Sequence, residues 1–321
     1  MSASRPEIAY VDTIDACHLK CGSCIKGVRA IPNTSRKMPL DMFTRIVEKL
    51  DAAGYSRISL YNWTEPFLNR NIEDYISVVK SFGQYCELST TLSLRHIDNL
   101  EAALVAGLDR MVVTMSGFEQ SIYEINHIGG TIDYILPNLR RVRSIMDQHG
   151  LSPQVVVRMI RFGYNVGEEP KLRALAAELR FDFEIIEGMS DPTTSARAQK
   201  HGNDYYEKIL ATAGPSETPE TEGKVCPILF DQITIDVVGD VHLCCAFPTF
   251  APLRIGHYLD LPDNDILLRR YVHPLCRVCS MPRRPASAGD GERISFAMRE
   301  RFPSFTFKDA AKGWLSWLRP H

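Results

Sequence analysis

Short runs rich in β-branched residues alternate with longer helical patterns through the first 190 residues of the chain. The six candidate strands are Ile8–Ile14, Arg57–Tyr61, Cys86–Leu92, Arg110–Met115, Gln154–Met159 and Phe183–Ile186. Five helices are predicted between them, near Pro39–Ala53, Ile72–Phe82, Ile97–Ala106, Ile132–His149 and Glu168–Leu179. Because strand–helix–strand units form parallel sheets with right-handed crossovers, this alternation predicts an α/β fold. Six strands are too few for a closed eight-stranded barrel, so the pattern allows either a partial barrel or a doubly wound sheet.

The chain beyond residue 190 is organised differently. Residues 189–223 show little apolar rhythm, which predicts a linker with one short helix near Tyr205–Ala213. The β-rich runs Gln232–Val238 and Val241–Cys244 flank a Gly-Asp pair and predict a β-hairpin. We therefore predict an α/β domain at residues 1–190, a linker at 191–225, a small hairpin-containing domain at 226–285 and a helical tail at 286–321.

Composition and charge limit the classes of partner. The 321 residues carry a formal net charge of −2, which gives no reason to expect a broad nucleic-acid surface or an acidic-lipid anchor. The first residues contain no apolar run typical of a secretion signal, and no run of about 18 apolar residues predicts a membrane span. We therefore expect a cytoplasmic protein with no nucleic-acid and no membrane partner.

Nine cysteines form two groups. They are Cys17, Cys21, Cys24, Cys86, Cys226, Cys244, Cys245, Cys276 and Cys279. In a reducing compartment, closely spaced cysteines indicate metal binding rather than disulfides. The distribution predicts one metal site near the N-terminus and another after residue 225, with Cys86 as a small core residue.

The first group follows the first predicted strand with the spacing Cys17-x₃-Cys21-x₂-Cys24. Three thiolates on one loop can bind three corners of a cubane iron–sulfur cluster and leave one iron open to an external ligand. The alternative is a zinc site in which His18 is the fourth ligand.

This motif resembles the signature of the radical S-adenosylmethionine (SAM) superfamily, although Ser23 stands where the family usually has an aromatic residue. The resemblance implies a partial (β/α)6 TIM-like barrel and a SAM-binding [4Fe–4S] cluster. SAM would chelate the open iron. A flavodoxin- or ferredoxin-type donor would supply the electron that cleaves SAM to methionine and a 5′-deoxyadenosyl radical.

Three further residues match landmarks of the family. Asn62-Trp63-Thr64-Glu65-Pro66 resembles the family's Gly-Gly-Glu-Pro segment, so Glu65 would accept a hydrogen bond from the SAM amino group. Ser116 resembles the family's ribose-contacting position. Arg158 resembles an arginine of the family that reaches the SAM carboxylate or the substrate. The structural alternatives are a loop cap for Ser116 and an ion pair for Arg158.

The second group combines Cys226 and Cys244 with the later pair Cys276-x₂-Cys279. Four thiolates could bind zinc or a fully protein-ligated [4Fe–4S] cluster. Cys-x₁₂-Gly-x₄-Cys resembles the opening of the SPASM domain of radical SAM enzymes, and the absence of later cysteines resembles its shortened form, the twitch domain, with one auxiliary cluster. Cys245 could replace Cys244, although the glycine spacing favours Cys244. His127 and His242 need no special role.

The resemblance implies an oxidoreductase that removes hydrogen from a small polyol, sugar or aminocyclitol-like substrate, with the auxiliary cluster accepting the second electron. Because the chain begins at the first strand, we expect no leader-peptide-binding domain. The alternatives are a maturase that crosslinks or epimerises a ribosomal peptide or protein, a redox-neutral epimerase, and a non-enzymatic zinc module or electron carrier.

Overall fold

The computed structural model describes residues 7–28, 33–188, 224–245, 253–273, 276 and 283–301. The predicted linker helix near Tyr205–Ala213, Cys279 and the tail after Arg301 lie outside the described residues. The strands are β1 (Ile8–Val11), β2 (Arg57–Ser59), β3 (Tyr85–Thr90), β4 (Arg110–Thr114), β5 (Gln154–Arg161), β6 (Asp182–Glu187), β7 (Lys224–Val225), β8 (Gln232–Ile235), β9 (Asp240–His242), β10 (Arg254–His257) and β11 (Arg284–Pro285).

The helices of the described residues follow the strands in alternation. They are α1 (Ile25–Val28), α2 (Leu40–Ala52), α3 (Ile72–Ser81), α4 (Leu100–Val105), α5 (Gln120–Asn126), α6 (Ile132–His149), α7 (Glu169–Glu178), α8 (Pro227–Asp231), α9 (Asp263–Tyr271) and α10 (Ala288–Arg301). Helices α1, α5, α8 and α9 were not predicted from the sequence. None of the helices in the described part of the chain is long and apolar enough to cross a membrane.

Strands β1 to β6 lie side by side in chain order, and every neighbouring pair is parallel. A doubly wound sheet would instead reverse its strand order at a switch point. The helices α2, α3, α4 and α6 contact one another in sequence, as helices on one face of a sheet do. The predicted partial (β/α)6 barrel is therefore confirmed, and no closed barrel forms among the described strands.

The predicted hairpin continues this sheet instead of forming a separate one. Strand β8 pairs in parallel with β1, β9 pairs antiparallel with β8, and β10 pairs antiparallel with β9. Gly239 lies in the turn at φ +84°, a conformation that glycine adopts without steric cost. The division of the chain into domains stays a prediction, because the hairpin strands extend the sheet of residues 8–187.

The two faces of the sheet differ in chemistry. The helix-covered face buries apolar residues, including Ala9, Ile58, Leu88 and Met111, and also Cys86, which is a core residue as expected. The opposite face, here called the inner face, is defined by Tyr10, Ser59, Glu87, Arg110, Arg158 and Glu184. Because alternate strand residues point to opposite faces, this pattern separates an apolar core from a polar interior.

A second, smaller apolar cluster joins the C-terminal elements. Leu229 and Phe230 of α8 pack against Leu267 of α9 and Ile294 of α10. Within the tail predicted at residues 286–321, α10 spans Ala288–Arg301 and packs against α9.

Candidate active site

The cysteine loop, residues 17–24, lies at the carboxyl end of β1, the end of a parallel sheet where catalytic groups collect. The Cys24 N–H donates to the Cys21 carbonyl at 3.1 Å, which tightens the loop before α1. A Cβ added to Gly27 would lie 2.5 Å from the Cys21 carbonyl oxygen, so only glycine allows α1 to approach the loop this closely. The three predicted ligands are therefore held on one compact turn.

Burial raises the pKa of all three thiols. Burial, together with the nearby Glu65 carboxylate, raises the pKa of Cys17 to about 12. The pKa of Cys21 is also raised, first by burial and then by the charges of Cys24 and Cys17. Such coupling places the thiols close together, as cluster ligands must be. No three Cys, His, Asp or Glu side chains in the described segments converge as ligands of a single metal ion.

The zinc alternative required His18 as a ligand. In the structure, Nε2 of His18 lies 3.0 Å from the Ser93 carbonyl oxygen. If Nε2–H donates to this carbonyl, Nδ1, which has no hydrogen-bond partner among the described residues, is the ring nitrogen left to bind a metal, so the zinc alternative stays open. The imidazole is therefore oriented by the loop after β3.

Glu65 lies beside the cysteine loop with its carboxylate buried. Its N–H donates to the Ala16 carbonyl at 2.9 Å, next to Cys17. Its Oε1 accepts from the Thr90 hydroxyl at 2.6 Å, and its Oε2 accepts from the Thr91 N–H at 3.1 Å. The further donors, Thr91 Oγ1 and Phe67 N–H, lie at 3.3 and 3.4 Å, too far for strong bonds. Each carboxylate oxygen therefore retains the capacity to accept from a ligand.

Ser116 follows β4 and is completely buried. Its hydroxyl lies 2.9 Å from Nε2 of His127, and Nδ1 of His127 lies 3.5 Å from Sγ of Cys21. Burial lowers the pKa of His127 to about 3, so its imidazole is neutral at pH 7. Ser116 thus has a partner inside the protein, and its contact with ribose stays a prediction.

The segment Asn126–Ile128, at the C-terminus of α5, holds the cysteine loop through its backbone. The Lys20 N–H donates to the Ile128 carbonyl at 2.9 Å, and the Gly22 N–H to the Asn126 carbonyl at 2.8 Å. The Asn126 side-chain oxygen accepts from the Ser23 N–H at 2.9 Å. Sequence reasoning missed Asn126 and His127, because they lie about a hundred residues from the cysteines and carry no ligand spacing.

Arg158 lies on the inner face and forms an ion pair with Glu184 of the adjacent strand. Arg110 binds the same carboxylate at 3.2 Å and Glu87 at 3.4 Å. Burial raises the pKa of the nearby Tyr61, and the Arg158 charge opposes this rise. The structural alternative for Arg158, an ion pair, is therefore present, and a contact with SAM or substrate stays a prediction.

A cavity of about 210 Å³ opens at the carboxyl ends of β1 and β8. Burial raises the pKa of Asp12, on its wall, to about 6, although the Thr64 hydroxyl and the Asn62 N–H donate to this carboxylate. Lys26, two residues after Cys24, pairs with Asp15 at 2.6 Å. The lining is mainly charged and consists of Asp12, Asp15, Lys26, Thr34, Arg36, Trp63, Asp236, Val237 and Val238.

The second cysteine group is only partly within the described residues. Cys226 packs beside the small apolar cluster of α8, α9 and α10, and Cys276 packs against the main core. Cys245 donates from Sγ to the Gln232 side chain at 3.2 Å, and burial raises its pKa to about 11. Because Cys279 lies outside the described residues, the four-cysteine ligand set stays a prediction.

Comparisons with known proteins agree with this fold. No protein-family model matches the chain. GTP 3′,8-cyclase of Limosilactobacillus fermentum is 21% identical over 234 residues, covering 66% of this chain and 68% of that protein. Among solved structures, Streptococcus suis SuiB bound to S-adenosylmethionine has a TM-score of 0.60 at 16% identity, covering 86% of this chain and 72% of SuiB. AnSMEcpe with bound AdoMet has a TM-score of 0.57 at 14% identity, covering 94% of this chain and 98% of anSMEcpe.

SuiB and anSMEcpe have both been solved with S-adenosylmethionine bound, and this chain has the three closely spaced cysteines that a SAM-binding [4Fe–4S] cluster would need. The structural matches establish the fold, while the curated relative and the motif Cys17-x₃-Cys21-x₂-Cys24 point to the same family. The comparisons thus confirm the resemblance seen in the sequence: the chain is similar to radical SAM enzymes in sequence and in fold.

Proposed function

We propose that Cys17, Cys21 and Cys24 hold a [4Fe–4S] cluster whose open iron binds SAM. The observation that carries this proposal is the buried Glu65 carboxylate, which has spare acceptor capacity directly beside the three thiols. With one electron from a flavodoxin- or ferredoxin-type donor, the bound cluster and SAM supply a 5′-deoxyadenosyl radical. Glu65 accepts from the SAM ammonium group in this scheme. The predicted roles of Ser116, which follows β4, and of Arg158, which lies on the inner face, are a ribose contact and a contact with the SAM carboxylate or the substrate.

The lead reaction is oxidation of a small polyol, sugar or aminocyclitol-like substrate. The polar inner face supports a substrate with hydroxyl or amino groups, because its arginines and carboxylates are natural hydrogen-bond partners. The relatives named GTP 3′,8-cyclase support a small-molecule substrate class.

The proposed steps balance as a two-electron oxidation. A hydrogen atom passes from a substrate C–H bond to the radical and gives 5′-deoxyadenosine. An auxiliary [4Fe–4S] cluster would accept the second electron of this oxidation and a base would accept the proton, so that the product would carry a new C=O or C=N bond. The proposed ligands of that cluster are Cys226, Cys244, Cys276 and Cys279.

A peptide substrate is the second candidate. It is favoured by the similarity to SuiB, which has also been solved bound to its precursor peptide SuiA. A maturase would form a crosslink or epimerise a residue, and a redox-neutral epimerase would need no second electron acceptor.

Deuterium transfer tests the substrate class. Anaerobically reconstituted protein is incubated with SAM, a reductant and either deuterated polyols and aminocyclitols or deuterated peptides, and 5′-deoxyadenosine is analysed by mass spectrometry. We expect deuterium from a polyol-type substrate and none from peptides. Transfer only from a peptide would overturn the dehydrogenase proposal in favour of the maturase. The triple Cys17, Cys21, Cys24→Ala variant serves as the control and should give no transfer.

The auxiliary site is tested by uncoupling. Cys276→Ala with Cys279→Ala should still form 5′-deoxyadenosine but no oxidised product, because the substrate radical cannot lose its second electron. Cys86→Ala, which removes a buried thiol from the core, should leave the product ratio unchanged. If the variant binds SAM normally and still forms full product, a redox-neutral reaction becomes the better proposal.

A further inference from the structure

His127 joins the cysteine loop to the end of β4. Its imidazole is 2% exposed and stacks on Tyr123, with ring centroids 4.5 Å apart and planes 20° apart. The backbone on both sides of it holds the loop through Asn126 and Ile128. The ring therefore has little freedom to turn away from Cys21.

The chemistry of a ligating cysteine decides which atom donates in the contact between His127 and Cys21. A thiolate bound to iron has no hydrogen and can only accept, so the 3.5 Å contact between Nδ1 and Cys21 Sγ requires the hydrogen on Nδ1. Nε2 must then accept, and the Ser116 hydroxyl, 2.9 Å away, is the donor. The Ser116 carbonyl accepts from Asn165 Nδ2 at 2.8 Å, which fixes the serine backbone in turn.

We propose that His127, held in one tautomer by Ser116, donates a hydrogen bond to the Cys21 sulfur and raises the reduction potential of the SAM-binding cluster. This inference rests on the proposed function. Reduction adds negative charge that is shared with the cysteine sulfurs, so a donor at sulfur stabilises the reduced form more than the oxidised form. His127 is thus a positioning residue that acts through Cys21, in the way outer-sphere partners tune other metal sites.

The test is an EPR-monitored redox titration of the anaerobically reconstituted protein. His127→Phe keeps a ring for the Tyr123 stack but removes the donor. His127→Asn places an amide N–H near the position of Nδ1. We expect a lower midpoint potential for His127→Phe, a smaller shift for Ser116→Ala, and a potential near wild type for His127→Asn. The exposed His149→Phe is the matched control and should not shift the potential.

The outcomes separate the two proposals. Equal potentials in wild type, His127→Phe and Ser116→Ala, at equal iron content, would overturn this inference and leave the proposed function intact. If His127→Phe fails to take up iron, the midpoint potentials of Ser116→Ala and His127→Asn test the inference instead. A Ser116→Ala potential equal to that of wild type would then overturn it. A wild-type protein whose EPR signal does not respond to SAM would instead overturn the proposed function.

Discussion

Replacing Glu65 with glutamine removes the negative charge from the predicted ammonium site while keeping the size of the side chain. Two strong hydrogen bonds, from the Thr90 hydroxyl and the Thr91 N–H, orient the carboxylate without saturating it. A bound SAM ammonium would add a hydrogen bond between charged groups, worth about 1.5–3 kcal/mol. Since about 1.4 kcal/mol corresponds to a tenfold change in Kd, the variant should bind SAM roughly 10- to 150-fold more weakly.

The assay is isothermal titration calorimetry of SAM into anaerobically reconstituted protein, with iron content measured in parallel. Iron content should not change, because Glu65 is not a cluster ligand. Asp290→Asn is a control outside the site: this carboxylate is also buried and accepts from the N–H and the hydroxyl of Ser287, and it additionally pairs with Arg284. A Kd for Glu65→Gln equal to that of Asp290→Asn would refute the assignment of Glu65 to ammonium recognition.

Three further changes test the site and its supports. Replacing Cys17, Cys21 and Cys24 together by Ala should lower iron content from about eight to about four per chain and abolish 5′-deoxyadenosine formation; wild-type release of 5′-deoxyadenosine would contradict the cluster assignment. Gly27→Ala should reduce cluster loading, measured as iron per chain, because its Cβ would lie 2.5 Å from the Cys21 carbonyl; unchanged loading would show that α1 can move away. Asp12, with its pKa raised from 3.8 to about 6, retains in the folded state a proton that the unfolded chain loses, so its contribution to the free energy of unfolding falls as pH rises from about 4 to 6. The free energy of unfolding of Asp12→Asn, measured in urea, should therefore rise relative to that of wild type by on the order of 3 kcal/mol across this pH window. A difference between the two proteins that does not change with pH would refute the raised pKa of Asp12.

Local patterns were sufficient for most of the first 190 residues. Alternate strand residues such as Ala9 and Ile58 are apolar because one face packs on helices, so periodicity alone locates the strands. The end of the first strand was predicted three residues too late, at Ile14 rather than Val11. Asp12 there turns its carboxylate to the Asn62 N–H and the Thr64 hydroxyl, a contact that β-propensity does not reveal.

The sequence by itself determined the cysteine motif, because Cys17, Cys21 and Cys24 lie within eight residues and their spacing does not depend on the rest of the fold. It also placed Glu65 after the second strand, where parallel strand ends meet. Both features depend on residues that are close in the sequence, so the residue pattern is enough to predict them.

Only the tertiary structure brought His127 to Cys21 and joined the hairpin strand β8 to β1. Both contacts link residues more than a hundred positions apart, and a single sequence carries no periodic signal for such pairs. Their partners are selected by the order of the strands in the sheet and by the helix that follows β4. The fold therefore decides that the His127 imidazole lies beside the Cys21 sulfur.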